Sequence, residues 1–504
     1  MNAEPLEPYV GLRPFYTRDS LLFFGREEQI TQVLEKLHAM RLVVLLGRSG
    51  CGKSSLVLAG VVPRLLAGFL VRERDRWSVA MLRPGASPSG SLAAALHEAI
   101  DDAGSDPEAV QEQAELLARS PSAWAKQIAS RVVRIDGNLL VVVDQFEELF
   151  RFADSGNQHD GGPAFVAGLL ALASQRQAPI FVILTMRSDF MGDCALFPDL
   201  AKAINSSTYL VPRMTKEELQ LAIEGPLRLT GGQLSGDVLE RVVEQVAQHP
   251  DQLPVLQLAL LQTWTCSQAQ TGVSPQLSRD DYESVGGAEN ALDRHLESVL
   301  AELDERLRDV AMGLFKSLTE LGPDQRARRR PGTVQRLSRV VGASVHDVVV
   351  VIEVFRRPGR SFLMPEVGQP LLEDTVVDIS HESLARNWRR LSHWMAEEGE
   401  STRQFRRLED SARLHAQGVA ELLRGVELQR TVDWCRYARP TAEWAAQYGT
   451  DFELAMGFLR ASELAAEHEV RRSFRTRRAR AALLVAIAFV AGGVTSWALK
   501  GWIS

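Results

Sequence analysis

The sequence predicts an α/β fold: a doubly wound parallel sheet, followed by helical and mixed domains and one apolar helix at the far end. Three observations carry this. Short continuous apolar runs such as Leu42–Leu46 suit strands buried on both faces, a glycine-rich loop follows the first of them directly, and beyond residue 210 the apolar spacing turns helical.

Composition narrows the class. A chain of 504 residues is too long for one core and points to three or four domains. Its hydrophobic share of 45% and charged share of 24% are those of a folded protein. A net charge of −7 gives no support to a nucleic-acid partner, which calls for a basic face. Cys51, Cys194, Cys266 and Cys435 show neither disulfide pairing nor metal-ligand spacing. The N-terminus MNAEPLEPYVGLRPF has no basic segment leading into an apolar run, so no signal peptide is expected.

The run at Leu42–Leu46 leads into GRSGCGKS, which fits G-x-x-x-x-G-K-[ST] with Gly47, Gly52, Lys53 and Ser54 in register. Such a loop lets the backbone N–H groups of Ser49, Gly50, Cys51 and Gly52 wrap phosphates, and the helix opening at Ser54 and Ser55 adds its positive end. Lys53 then faces the β and γ phosphates, and the Ser54 hydroxyl coordinates Mg²⁺. The expected ligands are ATP or ADP with Mg²⁺.

A second apolar run, Leu139–Val143, ends at Asp144, where a carboxylate can hold Mg²⁺ directly or through water. The next residue is Gln145, an amide that cannot accept a proton. Glu147 and Glu148 are therefore the candidates for a general base, or else solvated charges on a helix face, and slow hydrolysis is expected. A third run, PIFVILTMRSDF, ends at Arg187, which either reaches a γ-phosphate or pairs with Asp189 at the surface.

With these residues placed, the chain resembles the STAND signalling NTPases, specifically the first group of novel bacterial STAND proteins. The likeness begins at PYVGLRPF and FFGRE and continues through GRSGCGKS, VVVDQFEELF and LTMRSDF in order. RMTKEELQLAIEGPL, HPDQLPVLQLALLQTW, DYESVGGAENAL and DISHESLARNWRRLSHWM extend it over roughly residues 8 to 460. The resemblance implies that Gly25 and Arg26 pack near the adenine, that Pro254 lies against the base, and that His381 contacts the β-phosphate of ADP. It also implies a switch that self-associates when activated, in bacterial signalling, antiphage defence or regulated cell death. Relatives usually carry a repeat-array sensor or an effector enzyme in the same chain. Neither is legible here, so a separate sensor or effector protein is expected as partner.

The domain reading is an arm at 1–20, a P-loop core at 21–210, a helical domain at 211–300 and a winged helix at 301–395. A helical segment follows at 396–470. Thr215 with Glu218 reads as a capping box opening the helical domain. DVVVVIEVF and EDTVVDIS, rich in β-branched residues, suit the winged helix, and RARRRPG reads as a solvated loop. Gly418, Gly425 and Pro440 interrupt the heptad-like spacing after residue 404, favouring a helical hairpin over a long coiled coil.

Residues 481–499, AALLVAIAFVAGGVTSWAL, carry no charge and as a helix span about 28 Å, close to the hydrocarbon core of a bilayer. The preceding 471–480, RRSFRTRRAR, holds six arginines, which stay on the cytoplasmic side. The expectation is a single-pass anchor in an inner membrane with the bulk of the chain in the cytoplasm. Two other classes compete with a membrane-anchored switch: a winged-helix transcription regulator, and an AAA-type motor remodelling membrane proteins, which would need sustained turnover.

Overall fold

The computed structural model describes residues 7–500 except 69–75, 102–105, 154–160, 249–251, 272–274 and 323–326. The chain divides into two compact units. The first comprises 1–302, 353–368 and 379–388, and the second 303–352, 369–378 and 389–504.

The first unit is built on a parallel sheet of five strands: β1 (Leu42–Gly47), β2 (Trp77–Leu82), β3 (Asn138–Val143), β4 (Ile180–Arg187) and β5 (Thr208–Leu210). Their order across the sheet is β2-β3-β4-β1-β5. β1 and β3 are buried throughout because helices cover both faces of the sheet. Side chains alternate between two cores, as a period of two requires. Leu42, Val44 and Leu46 join Trp124, Phe146 and Phe165 on one face; Val43 and Leu45 join Ile30, Leu34, Leu56 and Val61 on the other. The sequence reading located β1, β3 and β4. It left β2 and β5 unnamed, because WSVAML, as long as β1, is interrupted by Ser78 and TYL has only three residues.

Register is what positions the site. Gly47 lies opposite Arg187, and Val143 lies opposite Leu184. The strand ends carrying the glycine-rich loop, Asp144 and Arg187 therefore emerge side by side at the carboxyl edge of the sheet, where open α/β sheets bind ligands.

Beyond β5, the helix Lys216–Leu229 opens with the expected capping box. The Glu218 N–H donates to the Thr215 hydroxyl (3.2 Å), and the Thr215 N–H donates to the Glu218 carboxylate (2.8 Å). Helices Gly236–Gln248, Leu253–Thr271 and Gly287–Ala301 pack around Leu256, Leu260, Trp264 and Tyr282. The first described residues form a strap over these parts. The Tyr9 hydroxyl donates to the Ile223 carbonyl (2.8 Å), the Phe15 N–H donates to the Ser55 hydroxyl (3.2 Å), and the Tyr16 hydroxyl donates to Glu366.

In the second unit, helices Arg389–Ala416, Gly425–Ala438 and Phe452–Lys500 share a core of Phe405, Leu408, Ala412, Phe458 and Leu459. Gly418, in the left-handed region at φ 75°, follows the first of these helices, so the chain turns back rather than extending a coiled coil. Gly332–Thr333 pairs antiparallel with Val376–Val377, and Arg329 pairs with Asp378 at 3.0 Å.

One expectation is corrected: the run DVVVVIEVF is helical, within Val345–Arg356. Val348, Val351, Ile352 and Phe355 are fully buried, at the i, i+3, i+4, i+7 spacing of one helix face, and that packing overrides β-branched propensity. The stretch 301–395 read as one winged helix is shared between the two units. Among the described residues no helix is long and apolar enough to cross a membrane. The backbone is helical to Lys500, but the side chains of 481–499, where the membrane span is expected, lie outside the described residues.

His295, on helix Gly287–Ala301, packs against the Phe362 ring with centroids 5.2 Å apart. Burial, reinforced by the charge of Arg360, pulls its pKa from 6.5 down to about 4. The unfolded chain then binds the extra proton between those two values, so stability is full above pH 6.5 and declines as pH falls toward 4. The shift corresponds to roughly 3 kcal/mol at most. Melting curves from pH 7 to pH 4 should show His295→Leu losing less stability than wild type across that window. Parallel declines would mean that His295 is not the group that titrates.

Candidate nucleotide site

The glycine-rich loop turns on two left-handed glycines, Gly50 (φ 81°) and Gly52 (φ 90°), a conformation other residues adopt only at a cost. A continuous helix follows over 53–66, π-helical through Leu56–Val61. Lys53 folds back on the loop, its Nζ donating to the carbonyls of Gly47 and Arg48 at 2.9 Å each.

Asp144, buried at the end of β3, is the hub. Its Oδ1 accepts the Ser54 hydroxyl (2.6 Å) and the Thr185 hydroxyl (2.7 Å), and its Oδ2 faces Arg83 Nε at 3.5 Å. The Ser54 hydroxyl and the Asp144 carboxylate are hard oxygen donors held together, a pair that fits Mg²⁺, which takes one or two protein oxygens and keeps waters.

The two glutamates that sequence left open part company here. Glu147 is buried, and its Oε2 accepts the Arg187 backbone N–H (3.3 Å). Burial raises the pKa of its carboxyl; Asp144 adds to the rise, while Lys53 and Arg187 oppose it. Glu148 instead accepts the Gly85 N–H (3.2 Å). Gln145, between Asp144 and Phe146, takes the left-handed conformation (φ 54°).

Arg187 pairs through its guanidinium with both Asp189 and Glu382, and lies over the Phe190 ring at 5.8 Å. Burial works against its charge, and Glu382 and Asp189 more than offset this, so its pKa is raised. The surface pairing with Asp189 exists, but alongside a buried partner 195 residues further along the chain. His381 sits one residue before that partner. Its Nδ1 accepts the Ser383 N–H (3.1 Å) and lies 2.7 Å from the Ser383 hydroxyl, at the start of the short helix Ser383–Asn387.

Around the loop, the buried Arg26 donates to the carbonyls of Pro212 (3.0 Å) and Cys51 (3.4 Å). Gly25 is held at φ 80°, where an added Cβ would sit 2.3 Å from the Glu218 carbonyl oxygen. Ser49 and Cys51 lie in the loop turn, and Ser55 accepts the Phe15 N–H. Pro254 lies in the first turn of Leu253–Thr271, within the helical part. The structure thus brings Lys53, Ser54, Asp144, Glu147 and Arg187 together. Sequence reasoning missed Thr185, Arg83 and Glu382. A lone hydroxyl inside an apolar strand, two residues before Arg187, was the available signal for Thr185.

The model of the Novel STAND NTPase 1 family matches residues 8–420. This chain belongs to that family. No curated protein matches this STAND NTPase. Among solved structures, the Aeropyrum pernix ORC1 protein in complex with DNA is 16% identical, covering 75% of this chain and 96% of that one at a TM-score of 0.41. The Aeropyrum pernix ORC2 protein in its ADP form is 12% identical, covering 77% and 96% at 0.38. A Walker-type ATPase of Pyrococcus abyssi is 16% identical, covering 74% and 98% at 0.36. Likenesses at these scores bear on neither ligand nor activity.

As a member of an NTPase family the chain binds nucleotide. Lys53→Ala removes the loop's side-chain cation, and nucleotide affinity measured by calorimetry should fall by about a hundredfold. Unchanged ATP and ADP affinities would remove the loop from the site.

Proposed function

We propose that this STAND NTPase is a slow, ATP/ADP-driven molecular switch in which Arg187 chooses between the γ-phosphate and Glu382. The ion pair between Arg187 and Glu382 is the observation that supports this reading. Arg187 leaves the sheet opposite Gly47, beside the phosphate loop, while Glu382 comes from the distant segment 379–388.

In the ADP state Glu382 holds Arg187, and His381 Nε2 donates to the β-phosphate, so segment 379–388 stays docked. In the ATP state Arg187 turns to the γ-phosphate. Glu382 is then a buried carboxylate without its main counter-charge, an arrangement costing several kcal/mol, and the segment leaves. The ligand shifts the balance only through this difference in contacts. Lys53 exchanges the Gly47 and Arg48 carbonyls for phosphate oxygens, and Ser54 and Asp144 hold Mg²⁺, which when bound spreads the phosphate charge. Glu147 is the base, and its contact with the Arg187 N–H together with the amide at Gln145 keeps turnover slow.

The wider reading follows from the sequence. Residues 21–210 are the core, 211–300 and 301–395 are the helical and winged-helix parts of the switch, and 481–499 anchors it in a membrane behind the basic 471–480. Opening favours self-association and engagement of a separate sensor or effector. The output is bacterial signalling of the kind that ends in defence or cell death.

Glu382→Gln keeps the shape and removes the charge, so ADP should leave about tenfold faster while ATP affinity holds or rises. Stopped-flow release of a fluorescent ADP analogue measures this, with melting temperature as the folding control; equal off-rates in equally stable proteins would sink the latch. Deleting 481–504 should move the protein from the membrane fraction to the soluble fraction with nucleotide binding intact. A truncated protein that aggregates and no longer binds ADP would instead mark the helix as part of a core.

A further inference from the structure

β2 ends one strand beyond Asp144, and the residue that leaves it is Arg83. The register pairs Leu82 with Val143, and the Asp144 N–H donates to the Leu82 carbonyl at 2.9 Å, so Arg83 is delivered beside Asp144 by the sheet itself. Two bonds fix the turn that follows. The Pro84 carbonyl accepts the Ser91 hydroxyl (3.2 Å), and the Gly85 N–H, at φ 57°, donates to Glu148 (3.2 Å). Glu148 thereby positions the turn that carries Arg83.

The two oxygens of Asp144 are used differently. Oδ1 is taken by the two hydroxyls, while Arg83 Nε stands 3.5 Å from Oδ2. The Asp144 side chain is 7% exposed and that of Arg83 36%. The carboxylate is fixed, and the guanidinium reaches solvent and can move. A divalent cation and a guanidinium drawn to the same carboxylate repel each other, so each weakens the other's hold on it.

We infer that Arg83 is the counter-ion of Asp144 in the metal-free site and competes with Mg²⁺ for it, so that Arg83 sets how strongly nucleotide binding depends on the metal. This rests on the nucleotide-site reading above. Arg83 is a positioning residue in this role: it acts on the metal through Asp144. It keeps a buried carboxylate compensated before the metal arrives and makes metal capture conditional on displacing a side chain.

The test uses the full-length protein and a fluorescent ADP analogue, with MgCl₂ titrated into the preformed ADP complex. Removing the competitor with Arg83→Gln should tighten Mg²⁺ binding by about threefold to tenfold, the range a partly exposed ion pair commands, while metal-free ADP affinity stays within about twofold of wild type. Arg83→Lys, which keeps the charge, should stay near wild type. In an Asp144→Asn background the effect of Arg83→Gln should vanish, since the carboxylate competed for is gone. Unchanged or weaker Mg²⁺ binding in an Arg83→Gln protein of normal melting temperature overturns the inference. So does a large loss of metal-free ADP affinity, which would make Arg83 a phosphate ligand, or an effect that persists in the Asp144→Asn background. Wild-type protein that fails to bind ADP would bring down the proposed function itself, a result read before any Arg83 variant is made.

Discussion

A carboxylate buried at a sheet edge has to be compensated, and the site is organised around meeting that demand at Asp144. Its position follows from parallel register: β4 lies between β1 and β3, so Thr185 comes from one side and Ser54 from the loop beyond it. Both hydroxyls converge on one oxygen, and the other is left to a cation. Shift any of these strands by one residue and the side chains that meet there point to opposite faces.

The same economy governs the positive groups. Lys53 rests on loop carbonyls and Arg187 on two carboxylates, so each of these cations already has an anionic or carbonyl partner. On the proposed reading, nucleotide binding exchanges these partners rather than filling a bare charge, and Arg187 is the group whose exchange involves a distant part of the chain.

Much of this was legible in the sequence, and the unread parts have physical reasons. The loop residues Gly47–Ser54 and Asp144 announce themselves because strand, glycine turn and helix must occur in that order. The capping box at Thr215 and Glu218 was legible for the same reason: it is local. Glu382 was not, because its value depends on Arg187, 195 residues away, and nothing in its own neighbourhood marks it beside the more conspicuous His381. Arg83 was hidden behind β2, a strand in which Ser78 breaks the kind of continuous apolar run that revealed β1 and β3. DVVVVIEVF misled through composition: it is apolar at every position from Val348 to Phe355 except Glu353, and only packing singles out Val348, Val351, Ile352 and Phe355 as one helix face.

The latch and the strap also have a temporal side. The cluster of Lys53, Ser54, Asp144 and Arg187 is complete once β4 has been synthesised, whereas Glu366 and Glu382 emerge from the ribosome much later. At ordinary elongation rates of about 5–20 residues per second, Glu382 follows Arg187 on the order of ten seconds later. Contacts of such long sequence separation are also the slowest to form. On the proposed latch, every newly made molecule passes through a stage without the Arg187–Glu382 pair before its first with it.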